Sequence, residues 1–117
     1  MEYTKLDVWT ESRKLTNLVY EISKQLPKEE VYGLTNQIRK SAVAIPSNIA
    51  EGCGSQTAKH TMHFLHISRS SLFELETQCY LVLDQKYINE TQFEEVFALI
   101  QSCMRLLNGF INYYKLL

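Results

Sequence analysis

The chain has 117 residues, and Lys and Arg number twelve against thirteen Asp and Glu, so its net charge is −1. That length is one domain's worth, since domains commonly run to about 100–150 residues, and the near-neutral balance argues against a strongly basic nucleic-acid binder. Only four Gly and two Pro are present, too few for a many-turned β-sandwich or barrel.

No apolar run approaches the roughly 18–20 residues needed to span a bilayer, and the segment Met1–Lys5 lacks the basic and apolar regions of a signal peptide. Cys53, Cys79 and Cys103 are odd in number and form no CxxC pair. Reduced cysteines in a cytoplasm are the expectation, with Cys79 and Cys103 as small core residues.

Apolar residues recur at helical spacing in four segments. Helix one is predicted from about Asp7 to Leu26, with Val8, Ser12, Leu15, Val19, Ile22 and Leu26 on one stripe. Thr4 or Asp7 is its expected cap, and Pro27 ends it. Helix two is predicted from about Tyr32 to Glu51, with Leu34, Ile38, Ala42, Ile45 and Ile49 facing inward. Pro46 lies inside this pattern and cannot donate to the carbonyl of Ala42, so a kink is expected there rather than an end. Gly52-Cys53-Gly54 is the expected stop, through left-handed glycine angles.

Helix three is predicted from about Thr57 to Asp84, with Leu65, Ser68, Leu72, Leu75, Cys79 and Val82 on one face. Helix four starts near Glu90 and runs close to residue 117, with Asn89 and Gln92 spaced as a capping box. Its stripe comprises Phe93, Val96, Phe97, Ile100, Met104, Leu107, Ile111 and Tyr114. Four amphipathic helices with short connections predict an all-α, antiparallel, up-down-up-down four-helix bundle. Met62, Phe73 and Tyr80 add a second apolar flank to helix three, read either as a surface for another subunit or ligand or as a broad core face.

Chemistry-bearing patterns are sparse. His60, His63 and His66 are spaced by threes, but no carboxylate or cysteine completes a zinc ligand set, so a polar face is the reading and no metal or other cofactor is expected. No GxSxG elbow or GxxxxGK[ST] loop occurs, and the pairs Glu29-Glu30 and Glu94-Glu95 diverge on a helix, so a non-enzyme is expected. Gln37, Ser41, Ala44, Asn48 and Glu51 form a small-polar stripe on helix two, read as a bundle-internal hydrogen-bond network, with a ligand site as the alternative.

The basic pairs Arg13-Lys14 and Arg39-Lys40 join into one exposed patch if helices one and two are neighbours, and ordinary solvated surface is the competing reading. With Lys59 these are the candidate nucleic-acid contacts. Residues 1–59 hold eight basic and seven acidic residues, and residues 60–117 hold four and six, so neither half is strongly basic.

The runs Tyr32-Gly33-Leu34, Gln37-Ile38-Arg39-Lys40 and Ile45-Pro46-Ser47-Asn48-Ile49-Ala50-Glu51-Gly52 resemble the signature of the small bacterial four-helix proteins encoded in intervening sequences of 23S ribosomal RNA genes. Leu6 to Trp9, Phe64-Leu65, Ser70-Ser71-Leu72 and Glu74-Leu75-Glu76-Thr77-Gln78 are similar to that family as well. The resemblance implies a ring-shaped homopentamer. It also implies kinship with the accessory variability determinant of diversity-generating retroelements, a basic pentameric barrel that engages a reverse transcriptase and nucleic acid. Many members place Arg just after the Glu-Gly motif, where this chain has Ser55-Gln56. The partners implied are a second copy of the chain, RNA or DNA, or another protein, and no membrane. Arg39 and Lys40 match the family's basic pair, and Gln37, Ser41, Asn48, Glu51 and Gly52 are carried as motif or interface positions.

Overall fold

The computed structural model describes residues 2–117. After a 3-10 turn at Tyr3–Lys5 come α1 (Asp7–Ser23), a second 3-10 turn at Lys28–Glu30, α2 (Leu34–Cys53), α3 (Ala58–Asp84) and α4 (Glu90–Lys115). The longest, α3, has 27 residues and spans about 40 Å at 1.5 Å per residue, which sets the long axis of the 45 × 25 × 21 Å molecule.

Side-chain bonds between helices fix their directions. Thr16 of α1 reaches the carbonyl of Ala42 and Arg39 of α2 reaches Ser23, so these two run antiparallel. Ser68 bonds the carbonyl of Ile45 and Thr61 that of Gly52, which sets α3 against α2. Arg69 meets Asn108 while Tyr80 packs on Phe93 and Phe97, which sets α4 against α3. Ser102 bonds Glu11, and Leu6–Val8 share a cleft with Leu106, Gly109 and Phe110, which closes the ring of helices. The result is the up-down-up-down bundle expected from the periodicity.

The core is built from the predicted stripes. Leu15 and Val19 of α1, Ile38, Ile45 and Ile49 of α2, Leu65, Leu72 and Leu75 of α3, and Val96, Ile100 and Leu107 of α4 are all fully buried. Cys79 and Cys103 are buried among them, and burial pushes both thiols up to about 12, with Glu76 and Glu11 adding smaller repulsions. They are inert core groups at neutral pH.

The helix ends depart in part from expectation. α1 stops at Ser23, and Lys24–Leu26 continue only as turns that keep Leu26 buried ahead of Pro27. Neither Thr4 nor Asp7 caps it. Leu6 is the N-cap, without a side-chain bond, because the preceding 3-10 turn already directs the chain into the helix. α2 begins at Leu34, whose N–H donates to the Glu30 carboxylate at 3.2 Å. That same carboxylate accepts from Tyr87 Oη at 3.0 Å, tying the α1–α2 loop to the α3–α4 loop.

α2 runs through Pro46 to Cys53 and contains Gly52 as a buried helical residue. Neither Gly52 nor Gly54 takes left-handed angles, and Gly54 ends the helix at φ −83°, ψ −5°. The left-handed turn is at Lys86 (φ 64°) after α3, where its N–H bonds Leu83 and the next N–H bonds Val82, the arrangement that glycine usually completes. The Asn89 capping box forms as predicted: Asn89 Oδ1 accepts from Gln92 N at 2.8 Å and Gln92 Oε1 accepts from Asn89 N at 3.0 Å. Such a cap contributes about 1 kcal/mol.

Candidate nucleic-acid and oligomer interfaces

The basic residues of α1 and α2 do not gather into one patch. Adjacent residues on a helix diverge by about 100°, and the packing of α1 turns that divergence into two destinations. Arg13 lies toward α2, its guanidinium 5.5 Å from the Trp9 ring centre, in a cleft lined also by Tyr3, Asn17, Pro46 and Ser47. Lys14 lies toward α4 and pairs with Glu11 at 3.7 Å, the carboxylate that also accepts from Ser102 of α4 at 2.5 Å.

Arg39 is half-buried rather than presented to solvent. Its Nε donates to Ser23 Oγ at 2.7 Å and its guanidinium stacks 4.9 Å over Tyr20. Lys40 and Lys59 are exposed, the latter on α3, with α2 standing between it and α1. Of the five candidate contacts, Arg13 and Arg39 therefore both lie along the α1/α2 groove, each stacked on an aromatic ring but in separate clefts, and the other three stand apart.

The small-polar stripe of α2 is not an internal network. Gln37 and Glu51 are exposed, and Asn48 Nδ2 turns back to the carbonyl of Ala44 in its own helix at 2.8 Å. Ser41 is buried. Apart from the bond of Arg39 to Ser23, the side-chain bonds that tie α2 to its neighbours run from hydroxyls of α1 and α3 onto α2 carbonyls. Thr16 supplies Ala42, Ser68 supplies Ile45 and Thr61 supplies Gly52, at 2.8–2.9 Å. Periodicity alone marked Ser68 as a stripe position, but its partner on another helix was not visible from spacing.

The three histidines do not converge. His60 and His63 are exposed, His63 packs edge-on against Phe64, and His66 is half-buried. Among the described residues no group of three His, Cys, Asp or Glu side chains is placed to hold a metal. His66 Nδ1 instead accepts from Arg69 Nη2 at 3.2 Å, and Arg69 Nη1 donates to Asn108 Oδ1 of α4 at 3.1 Å. This cluster joins α3 to α4 across 39 residues of chain, a contact that helical spacing does not encode.

The second apolar flank of α3 is a surface. Phe73 is 55% exposed and Tyr80 45%, with Leu81 beside them at 44%. Tyr80 lies 4.8 Å from Phe93, and Phe93 stacks on Phe97 at 5.7 Å, so the row crosses from α3 to α4. Met62, at the other end of the flank, packs against the core.

The profile of the family described as 23S rRNA-intervening sequence protein matches residues 4–109, nearly the whole of this bundle. The chain belongs to that family. A crystal structure from Bacteroides thetaiotaomicron, described as a protein of unknown function from the S23 ribosomal protein family, superposes with a TM-score of 0.82. It is 23% identical and the match covers 89% of this chain and 97% of the other, which supports the fold of the family and nothing finer. Among curated proteins none matches this chain. No helix among the described residues is long and apolar enough to cross a membrane.

Proposed function

We propose that this family member is a non-enzymatic interaction scaffold that works as a homo-oligomer, with the homopentameric ring implied by the resemblance as the expected assembly and a cytoplasmic setting. The observation that carries the reading is the exposed pair Phe73 and Tyr80 on α3, continued onto α4 by the half-buried Phe93 and Phe97. Covering apolar surface is worth about 25 cal/mol per Å², and exposed aromatic rows of this kind mark interfaces more often than bare surface. The inert Cys79 and Cys103 thiols support a binding role over nucleophilic chemistry.

Light scattering at micromolar concentration is expected to return a multiple of the chain mass, and Phe73→Lys with Tyr80→Lys is expected to shift it toward one chain with the fold retained by circular dichroism. A monomer from the unmodified protein overturns the proposal.

Nucleic-acid binding is the second reading, with RNA or DNA as ligand. Arg13 and Arg39, each stacked on an aromatic ring in the α1/α2 groove, favour it, and Lys14, Lys40 and Lys59 are its outlying contacts. A protein-interaction module without nucleic acid is the alternative.

A further inference from the structure

Summing charge by sequence halves hides a polarity that the fold creates. Residues 52–73 contain no Asp or Glu, and neither do residues 96–117. The six carboxylates of the second half of the chain all fall between Glu74 and Glu95, with Lys86 as the one basic residue among them. Because α3 and α4 are antiparallel, with Arg69 opposite Asn108, the two carboxylate-free stretches pack side by side. One end of the α3/α4 face therefore presents Lys59, His63, His66, Arg69 and Lys115 with no acidic partner from either helix. Among the described residues the lysines that form ion pairs are Lys5, Lys14 and Lys24, all outside this face.

We propose that this end of the α3/α4 face binds the phosphate backbone of a nucleic acid, with Arg69 as its centre. The inference rests on the nucleic-acid reading above and adds a contact face that the α1/α2 groove does not include. From Lys59 to Arg69 is ten residues of helix, about 15 Å. A nucleic-acid strand carries one charge per 3.4 Å of axis, so that run faces roughly four phosphates, which suits an extended polyanion better than a single anion.

Arg69 is held by two of its N–H groups, one to Asn108 and one to His66, which leaves the remaining donors of its fork for phosphate oxygens. Phosphate contacts of this type need no base readout and would be sequence-independent.

The face also carries a pH dependence. His66 is held below the usual imidazole value by burial first, then by Arg69, Lys115 and His63. Those charges come from α3 itself and from α4. None of them comes from α2, the other helix packed on α3. At neutral pH His66 is thus an acceptor that orients Arg69. A bound phosphate reverses the sign of the local field and favours the imidazolium, which releases the Arg69 N–H and donates from both ring nitrogens, so binding takes up protons and strengthens as pH falls through the imidazole range, about 6.5 for a free side chain.

The test is anisotropy of a labelled generic RNA hairpin titrated with the full chain across salt, above and below that range. Arg69→Gln with Lys115→Gln is expected to weaken binding by about tenfold or more at low salt and to reduce the slope of log affinity against log salt by roughly 1.4–1.8. Lys59→Gln with Lys115→Gln, both at exposed positions, repeats the test without touching the half-buried Arg69. His63→Gln with His66→Gln is expected to flatten the pH dependence. Binding that survives all of these but is lost on Arg39→Glu with Lys40→Glu overturns the inference and leaves the nucleic-acid reading standing. An absence of binding by the unmodified chain at low salt on both sides of the range overturns both.

Discussion

Gly52→Val is expected to destabilise the bundle by about 1–3 kcal/mol, read as a fall in the urea midpoint, while Gly52→Ala stays within about 1 kcal/mol of the parent. A Cβ at this position would sit 3.3 Å from the Thr61 carbonyl oxygen and 3.4 Å from Phe64 Cβ. Both neighbours belong to the first turns of α3, and one is backbone, which cannot swing aside as a side-chain tip does. The close approach is also what brings Thr61 Oγ1 within 2.8 Å of the Gly52 carbonyl. Alanine adds one tight contact but gains about 1 kcal/mol of helix propensity over glycine. Valine adds two further methyl groups to the same space and loses χ1 freedom in the helix. If valine proves as stable as alanine, the α2–α3 spacing is not set by this glycine.

Gly52 also shows where the sequence was legible and where it was not. Spacing located one buried face on each helix, as a period of 3.6 encodes, but on α4 it also counted Phe93 and Phe97 as core, although they are half-buried and meet the exposed Tyr80. The Asn89 capping box was equally plain, because both bonds are made within four residues of chain. Gly52 read as a helix stop because glycine's local role is known, whereas its actual role depends on which helix lies against it. The same holds for Arg39. Projection placed it on the outer face, and the end of α1 supplied a hydroxyl and a tyrosine ring that folded it down.

Charge was the least legible feature, and for a related reason. Summing residues 60–117 gives an unremarkable −2, because the count mixes six carboxylates at the hairpin end with the cationic opposite end. Only the antiparallel pairing of α3 with α4 separates them. The molecule then offers three unlike surfaces: the arginine–aromatic groove of α1/α2, the aromatic row amid carboxylates, and the carboxylate-free cationic end. A near-neutral total is consistent with a protein whose contacts are divided among faces, and each face fails a different substitution test.

Pro46→Ala is expected to stabilise the protein by about 1–2 kcal/mol in urea or thermal unfolding. Proline inside a helix is about 3 kcal/mol less favourable than alanine. Part of that difference returns through the unfolded chain, which gains about 0.4–1 kcal/mol of entropy when proline is removed. A further part is already offset in the native bundle. Pro46 has no N–H for the Ala42 carbonyl, and Thr16 Oγ1 of α1 reaches that oxygen at 2.9 Å. The same hydroxyl lies 2.9 Å from the Ser12 carbonyl, but only Ala42 lacks its helical partner.

Thr16→Val in the parent chain therefore strands an acceptor in the α1/α2 contact and should cost about 1–3 kcal/mol. In the Pro46→Ala background the helix supplies its own donor, and the cost should fall well below that of the single change. The double-mutant cycle is expected to show a coupling of about 1 kcal/mol or more. Strictly additive effects would mean that the threonine does not serve the carbonyl that proline leaves open. A Pro46→Ala protein that is also less oligomeric by light scattering would tie this position to assembly as well as to the helix.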